Sequence, residues 1–424
     1  MQRTDVGPRR RILVLNAHLN FGVTVVQSLG RRGHECWVAS HRPEFAARHS
    51  RYVTRVAIYP DPMSERRSFE EWIVAFLNAN RPDLILPLGD STLILLHEMR
   101  DRLAGAVLAV PDAADVAFDK ERVRQLAVQL GIPTPETLYL ERYDARALDA
   151  FASSLPLVVK PVRSVVWKRG AGNMKARIVH DAPAAAEVAA SAVELCPIQV
   201  QRWVPGRGMG VEVLASEGRI VMAFAHRRLH EGLNLSPVST YREAVPPPPS
   251  LLKAASQLLG ELRWTGVAMV EFRVDDATGR YWLLEINGRF WGSLPLAVYA
   301  GADFPGALVE LMLSATEPRP YQLDGPYYCR DVVQDLRWMV GNRGQLLRRP
   351  AAALTTLLQW GRVLTGREGW DGASWRDPQP FLRYLFEIPR KRLRKLFRKR
   401  NNPSYQPAVS TLDSAAGHHR APKS

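Results

Sequence analysis

The chain has 424 residues, of which 46% are apolar, and its formal net charge is +15. A chain of this length holds two or three domains with a substantial core, and its apolar content is ordinary for a globular protein. Three widely separated cysteines indicate reduced thiols in a cytoplasmic compartment and lack the spacing of a metal site. Polar residues interrupt the first apolar run and no stretch stays apolar for long, so neither a signal peptide nor a membrane-spanning helix is expected.

The N-terminal region predicts an open parallel sheet. Residues 11–17 and 35–40 have the apolar pattern of buried strands, residues 21–32 between them predict a helix, and residues 84–88 predict a further strand. The spacing G-x-G-x-x-G is missing from this β-α-β start, so we expect no dinucleotide there.

Two further strands are predicted in the middle of the chain. Residues 156–161 predict a buried strand that ends in Lys160. A lysine at a strand end suits either a phosphate contact or a solvated surface. A loop with two glycines follows at residues 164–173. Residues 197–206 predict the second strand. Three glycines near its end have the wrong spacing for a dinucleotide motif and precede a strand: Gly206, Gly208 and Gly210.

Residues 224–231 concentrate two arginines and two histidines. A guanidinium group contacts phosphate or carboxylate oxygens in pairs, which makes Arg228 a candidate for the site, although such clusters are commonly solvated. His226 and His230 are alternatives as general bases or as packing residues.

Residues 267–274 and 280–287 predict a β-hairpin whose polar face carries Glu271, Glu285 and Asn287. With a five-residue loop, Glu271 is predicted to lie across from Leu283 and diagonal to Glu285. Two carboxylates and an amide oxygen form an all-oxygen ligand set that suits magnesium, whereas a solvated sheet face is the alternative.

The C-terminal region differs in character. Residues 331–340 and 351–364 predict helices, and residues 390–400 contain eight basic residues and no acidic one. This basic segment predicts an amphipathic helix with a narrow apolar edge, suited to an anionic membrane surface; nucleic-acid binding is disfavoured, and a solubilising tail is the alternative. Residues 401–424 are expected to be disordered.

The run LLEINGRFWGSLPLAVYAGADFP, together with Asp119, Lys120 and the following LGIPTPET, resembles the ATP-grasp superfamily, in particular its carboxylate-amine ligase branch. The resemblance covers roughly residues 11 to 312. It implies an α/β fold with a Rossmann-like pre-grasp domain that contributes the acceptor-substrate side, an ATP-grasp α+β domain and a helical basic extension. The implied bounds are residues 1–115, 116–315 and 316–400, with the tail at 401–424.

The resemblance also implies roles for particular residues. Arg228 and Arg289 would be catalytic, and Glu271, Glu285 and Asn287 would hold the metal. The remaining candidates would contact the nucleotide, with the loop lysines as alternatives to each other: Lys160, Lys168, Lys175, Gln201, Arg202, Trp203, Val204 and Glu212.

The function implied is ATP-dependent ligation of a carboxylate to an amine through an acyl phosphate. ATP and Mg2+, or Mn2+ in its place, would be the cofactors, and the partners would be small-molecule carboxylates and amines. We expect a cytoplasmic location, with peripheral membrane contact through residues 390–400. Two alternatives are a nucleotide-binding module without turnover and a basic scaffold that attaches to membrane or nucleic acid.

Overall fold

A computed structural model describes residues 8–103, 105–167, 174–231, 239–319 and 321–386. The chain divides into a large compact unit, Met1–Phe381, and a short C-terminal unit, Leu382–Ser424. The large unit contains three sheets. The predicted basic helix at 390–400, the tail at 401–424 and Lys168 lie outside the described residues.

The first sheet is parallel and four-stranded, with the order β3-β2-β1-β4. Its inner strand, β1, is buried along almost its whole length, as expected for a parallel strand with helices on both faces. The predicted β-α-β start and the strand at 84–88 are confirmed, whereas β3 and α2 were not predicted. The elements are β1 Arg11–Leu15, α1 Gly22–Arg31, β2 Glu35–Ser40, β3 Val53–Ile58, α2 Arg66–Asn80, β4 Leu84–Pro87 and α3 Asp90–Glu98.

The second sheet is antiparallel, with the order β5-β8-β6-β7, and alanines of α7 pack on it. The strands predicted at 156–161 and 197–206 are its two central strands. The elements are α4 Ala114–Ala117, α5 Lys120–Gln129, β5 Thr137–Leu140, α6 Ala145–Phe151, β6 Leu157–Pro161, β7 Arg177–Val179, α7 Ala182–Val193 and β8 Ile198–Arg202.

The third sheet has seven strands in the order β13-β12-β9-β10-β11-β14-β15 and is antiparallel except for the last pair. It includes the predicted hairpin, which forms β12 and β13. The strands are β9 Arg207–Ser216, β10 Arg219–Glu231, β11 Ser239–Val245, β12 Gly266–Val274, β13 Tyr281–Asn287, β14 Tyr328–Arg330 and β15 Glu368–Trp370. The helices are α8 Pro249–Glu261, α9 Leu294–Tyr299, α10 Phe304–Ser314, α11 Val332–Gly341, α12 Arg343–Arg348 and α13 Pro350–Gly361.

One apolar core joins the first sheet to the third. Ile12 of β1 and Val26 of α1 share this core with Phe290 and Trp291, which follow β13. Trp291 also meets Phe304 edge to face at 5.2 Å between ring centroids. The turn that begins at the end of β13 is therefore anchored by two fully buried aromatic side chains.

The predicted C-terminal extension is not purely helical. The helices predicted at 331–340 and 351–364 are confirmed as α11 and α13, but β14 and β15 add two strands to the edge of the third sheet. These three-residue strands are too short to give a periodic pattern in the sequence. Among the residues that the structure describes, no helix is both long and apolar enough to cross a membrane.

The side chain of Asp377 connects this C-terminal region to the N-terminal sheet. Asp377 is 2% exposed and accepts hydrogen bonds from Ser50 Oγ at 2.6 Å, the backbone N–H of Arg51 at 3.0 Å and Gln27 Nε2 at 3.2 Å. Without the carboxylate, the buried Ser50 hydroxyl and the N–H of Arg51 lose this acceptor, whereas Gln27 keeps the carbonyls of Gly372 and Asp377. An unpaired buried donor is costly.

We therefore expect Asp377→Ala to lower the free energy of unfolding by about 1–3 kcal/mol in urea titrations. Asp276→Ala is the matched control, because Asp276 pairs with Arg207 at 2.8 Å on the exposed surface and such pairs contribute little. Equal stability of the two variants would show that the Asp377 contacts do not hold the C-terminal segment in place.

Candidate active site

The two glutamates of the hairpin lie directly opposite each other. The sequence placed Glu271 across from Leu283, which is wrong: Glu271 pairs with Glu285, and Leu283 pairs with Phe272. Two shifts of one residue each cause the difference. Val274 pairs with Tyr281, so the loop is one residue longer than expected, and a bulge at Leu284 adds one residue to β13 and turns Leu283 into the core. The two carboxylates are therefore cross-strand neighbours on one face of the sheet.

A buried arginine neutralises the first carboxylate. Arg228 reaches from β10 across β9, and its Nη2 donates to Glu271 Oε1 at 2.6 Å. Both side chains are 8% exposed. Burial raises the pKa of Glu271, although the charge of Arg228 opposes the rise.

Two lysines surround the second carboxylate. Lys120 Nζ lies 3.6 Å from Glu285 Oε2, and the buried Lys160 donates to the carbonyl oxygen of Leu284 at 3.3 Å. Burial by itself would raise the pKa of Glu285, but the charges of Lys120 and Lys160 outweigh it and lower the pKa. Burial likewise lowers the pKa of Lys160 to about 8, although Glu285 opposes the shift.

Two glycines of β9 make room for the side chains that cross it. A Cβ added at Gly208 would lie 2.8 Å from Cδ of Arg228, and one added at Gly210 would lie 2.5 Å from Cε1 of His226. Gly210 also pairs with Glu271 in the ladder. Gly208 and Gly210 therefore leave two positions of β9 without side chains, next to which Arg228 reaches the carboxylate.

Arg289 is held by the N-terminal sheet. Its Nε donates to Asp90 Oδ1 and its Nη2 to Asp90 Oδ2, while Nη1 donates to the carbonyl of Phe290 at 2.9 Å. Asp90 is the first residue of α3. About one fifth of each side chain of this pair remains exposed. The guanidinium is thus placed by a contact between two sheets.

The turn after β13 is fixed from a second direction. Arg242 on β11 donates through Nη1 to the carbonyl of Gly292 at 2.8 Å and through Nη2 to both oxygens of Asp371 at 2.6 Å. Ser293, in the same turn, donates to Glu212 Oε1 at 2.8 Å. The C-terminal region therefore takes part in positioning the turn.

Glu212, a predicted nucleotide contact, is completely buried. Its Oε1 lies 2.6 Å from Nδ1 of His226, while its Oε2 has no partner in the described structure. His230, the other histidine of β10, lies 2.7 Å from Asp335 and stacks on Trp338 at 3.8 Å between centroids. Both histidines therefore have packing and hydrogen-bond roles.

The predicted hinge residues begin at the end of β8. Gln201 is buried, and its Nε2 donates to Thr137 Oγ1 at 3.0 Å. Arg202 does not point toward the carboxylates, because its Nε donates to Glu136 at 2.6 Å and its guanidinium lies 4.7 Å from the ring centroid of Phe151.

The next two hinge residues use their backbone within the protein. The N–H of Trp203 donates to the carbonyl of Pro156 at 3.1 Å, and the carbonyl of Val204 accepts from Arg273 Nε at 3.0 Å. Lys175 is exposed.

A small cavity adjoins the lysine side of the carboxylate pair, between β8 and β13. Polar side chains and part of the bulge line it, among them Lys120, Arg124, Gln199, Gln201, Leu283 and Leu284.

The donor set fits a hard divalent cation. Glu271 and Glu285 are adjacent carboxylates, and Asn287 Nδ2 donates to Glu285 Oε1 at 3.3 Å, so the Asn287 amide lies beside the pair. All the donors are oxygens, which suits magnesium. Within the described ranges, no group of three or more His, Cys, Asp or Glu side chains is arranged to hold a metal ion. The two carboxylates would therefore share a cation with Asn287 and with oxygens of a ligand or water.

Comparisons with known proteins agree with this geometry. Residues 194–331 match the family described as ATP-grasp in the biosynthetic pathway with Ter operon. The chain is 29% identical over 221 residues to a D-alanine–D-alanine ligase of Chromohalobacter salexigens, which is 48% of this chain and 67% of that protein. The ATP-grasp resemblance inferred from the sequence is confirmed.

Two further ATP-grasp likenesses cover more of the chain. A carbamoyl phosphate synthase large chain of Gemmatimonas aurantiaca is 25% identical over 309 residues, which is 69% of this chain but only 27% of that protein. The fold is similar to a biotin carboxylase of Campylobacter jejuni solved as an ATP-analogue complex, with a TM-score of 0.59 and 14% identity over 76% of this chain and 75% of that one. The chain thus spans about a quarter of the length of the synthase subunit.

Sequence reasoning missed three residues of this ATP-grasp site. Lys120 was recognised only as part of a motif, and Asp90 and Ser293 were not singled out. Lys120 has a local signal, because Asp119 caps α5 and fixes the direction of the next side chain. Asp90 has none, since it meets Arg289 only through the packing of two sheets.

We expect Gly208→Ala to displace Arg228 and to lower the free energy of unfolding by roughly 1–3 kcal/mol, because the added Cβ overpacks a buried face. Gly260→Ala on α8, where an added Cβ meets nothing within 4 Å, should be neutral or slightly stabilising. In an Arg228→Ala background the cost of Gly208→Ala should largely disappear. The same cost in both backgrounds would contradict the role assigned to Gly208.

The pKa of Lys160 generates a pH prediction. A phosphate contact requires the protonated amine, so ATP affinity should weaken as the pH rises through about 8. Calorimetric titration of the parent across this range should show the loss, whereas Lys160→Met should bind weakly with no such step. Lys253→Met, at an exposed position, should keep the parent profile. A step that survives in Lys160→Met would assign the titration to another group.

Proposed function

We propose that this ATP-grasp protein is a carboxylate-amine ligase that uses ATP and works through an acyl phosphate. The observation that carries the proposal is the cross-strand pair of the buried Glu271 and the partly exposed Glu285, with three cations around it, Lys120, Lys160 and Arg228. Adjacent carboxylates and fixed cations on one face suit the binding of a metal–phosphate complex and the charge that develops during phosphoryl transfer.

In the proposed reaction, a carboxylate oxygen of the first substrate attacks the γ-phosphorus of ATP, and the bond to the bridging oxygen of ADP breaks. The amine nitrogen of the second substrate then attacks the acyl carbon, inorganic phosphate leaves and the nitrogen loses a proton. The products are an amide, ADP and phosphate. Because no enzyme nucleophile is needed, the protein would act by positioning and by electrostatic stabilisation.

Each charged residue has a proposed part in this reaction. Lys160 would hold phosphate oxygens, and Arg228 and Arg289 would face the transferring group with paired donors. Glu271, Glu285 and Asn287 would hold magnesium, which when bound neutralises phosphate charge.

The nucleotide would lie between β8 and β13, where the cavity beside Lys120 and Gln201 is found. Gln201 to Val204 would line its base, and this assignment rests on the family resemblance together with the position of the cavity. The completely buried Glu212 is better suited to orienting His226 than to meeting a ribose.

The acceptor side is proposed at the junction of Asp90 and Arg289, where the N-terminal sheet meets the turn after β13. The D-alanine–D-alanine ligase relative is, by its name, a ligase of amino acids. Amino acids or other small carboxylates and amines are therefore the first substrates to try. A cytoplasmic location is proposed from three free thiols, two of them buried.

The same site would serve a nucleotide-binding module without turnover. ADP formation separates the two functions, since only a ligase consumes ATP when both substrates are present. A panel of amino acids and other carboxylates, tested in pairs with amines, should show ADP release that depends on both partners. ATP binding without ADP release for any pair would favour the binding module.

We expect Glu285→Ala to reduce ADP release with an active pair by roughly 10²-fold or more, because the variant loses one of the two adjacent metal carboxylates. The matched control is Glu217→Ala, whose side chain is largely exposed on a turn. Urea unfolding of both variants should resemble that of the parent. Unchanged ADP release in a folded Glu285→Ala protein would refute the metal assignment.

A further inference from the structure

Leucine side chains cover the outer surface of α12, α13 and the turn that follows. Each is more than half exposed, which is far from the usual placement of leucine. They are Leu347 at 83%, Leu354 at 57%, Leu357 at 68%, Leu358 at 65% and Leu364 at 89%. We call these five residues the leucine face.

The leucine face is presented by a helix that is anchored on its other side. Leu354, Leu357 and Leu358 stand at i, i+3 and i+4 and so share one stripe of α13. On the opposite stripe Thr356 is buried, and the carbonyl of Gln359 accepts from Nη2 of Arg330 at 3.1 Å. The exposure is therefore a fixed property of α13.

Arg330 makes that anchor strong. It is fully buried, donates through Nε to Glu368 at 2.9 Å, pairs with Asp335, and lies 3.7 Å from the ring centroid of Tyr241. A charge buried in this way is costly to move.

The charged side chains in the segment that carries the leucine face are all arginines. Residues 336–367 contain six arginines and no aspartate or glutamate. The exposed ones include Arg343, Arg348 and Arg349, next to Leu347 in the chain.

We propose that the leucine face docks on an anionic lipid bilayer, with α13 lying in the interface and the arginines meeting lipid phosphates. Leucine insertion and basic charge are the two contributions that hold an interfacial helix, and both are present on one surface. Docking of a second copy of this chain on the leucine face would bring the arginines of both copies close together, and like charges repel. Nucleic acid would satisfy the arginines but leave the leucines in water.

Co-sedimentation of the full chain with vesicles tests this proposal. The parent should pellet with phosphatidylcholine vesicles that contain phosphatidylglycerol and not with phosphatidylcholine alone. The combined variant Leu354→Ser, Leu357→Ser and Leu358→Ser should lose affinity by roughly tenfold or more, because three apolar side chains no longer enter the interface. The paired control Ile58→Ser and Val128→Ser, at exposed apolar positions elsewhere, should bind like the parent.

A second variant, Arg348→Glu with Arg349→Glu, tests the charge independently of the leucines and should also lose binding to anionic vesicles. The proposal is overturned if both variants bind like the parent, if neutral and anionic vesicles bind equally, or if neither binds. A parent dimer in light scattering that the triple serine variant converts to monomer would assign the leucine face to a second copy instead. None of these readouts depends on ligase activity.

Discussion

The close approach of two carboxylates, the buried Glu271 and the partly buried Glu285, is the constraint on which the rest of this structure depends. Like charges on neighbouring strands repel, and removal from water adds to the cost. The fold offsets that cost with cations from three separate segments: Lys120 at the start of α5, Lys160 at the end of β6 and Arg228 on β10. The second sheet supplies one of these cations and the third sheet another, so the charge balance exists only when the whole unit has folded. Such an arrangement suits a ligand that carries phosphate charge together with a bound cation.

Neighbouring residues hold these side chains and the adjoining turn in place. Gly208 leaves the space through which Arg228 passes, and two arginines fix the turn after β13 from opposite directions. Arg289 connects that turn to Asp90 in the N-terminal sheet, and Arg242 connects it to Asp371 near the C terminus of the described chain. Residues beyond the ATP-grasp resemblance thus contribute to the geometry of the site.

Periodic elements of this fold were predictable from the sequence, and contacts between elements were not. The β-α-β start and the hairpin have strong apolar patterns, so they were located to within a few residues. The bulge at Leu284 leaves no such trace, because both leucines at 283 and 284 suit a core position. Together with a loop one residue longer than expected, it moves the partner of Glu271 by two residues, from Leu283 to Glu285. β14 and β15 form only by pairing with the edge of the third sheet. Asp90 stands at a helix start, where aspartate is common, so its sequence position does not indicate a contact with Arg289. The identity of the candidate metal residues was predictable, but their mutual distance and their cations required the structure.

Calorimetric titration of ATP with and without magnesium tests most directly whether Glu271 and Glu285 hold the metal. We expect magnesium to strengthen ATP binding to the parent, and we expect Glu271→Gln combined with Glu285→Gln to remove this gain while binding without the metal persists. Glu217→Gln, on the exposed turn, should keep the gain. A magnesium effect of parent size in the doubly substituted protein would contradict the claim that Glu271 and Glu285 hold the metal.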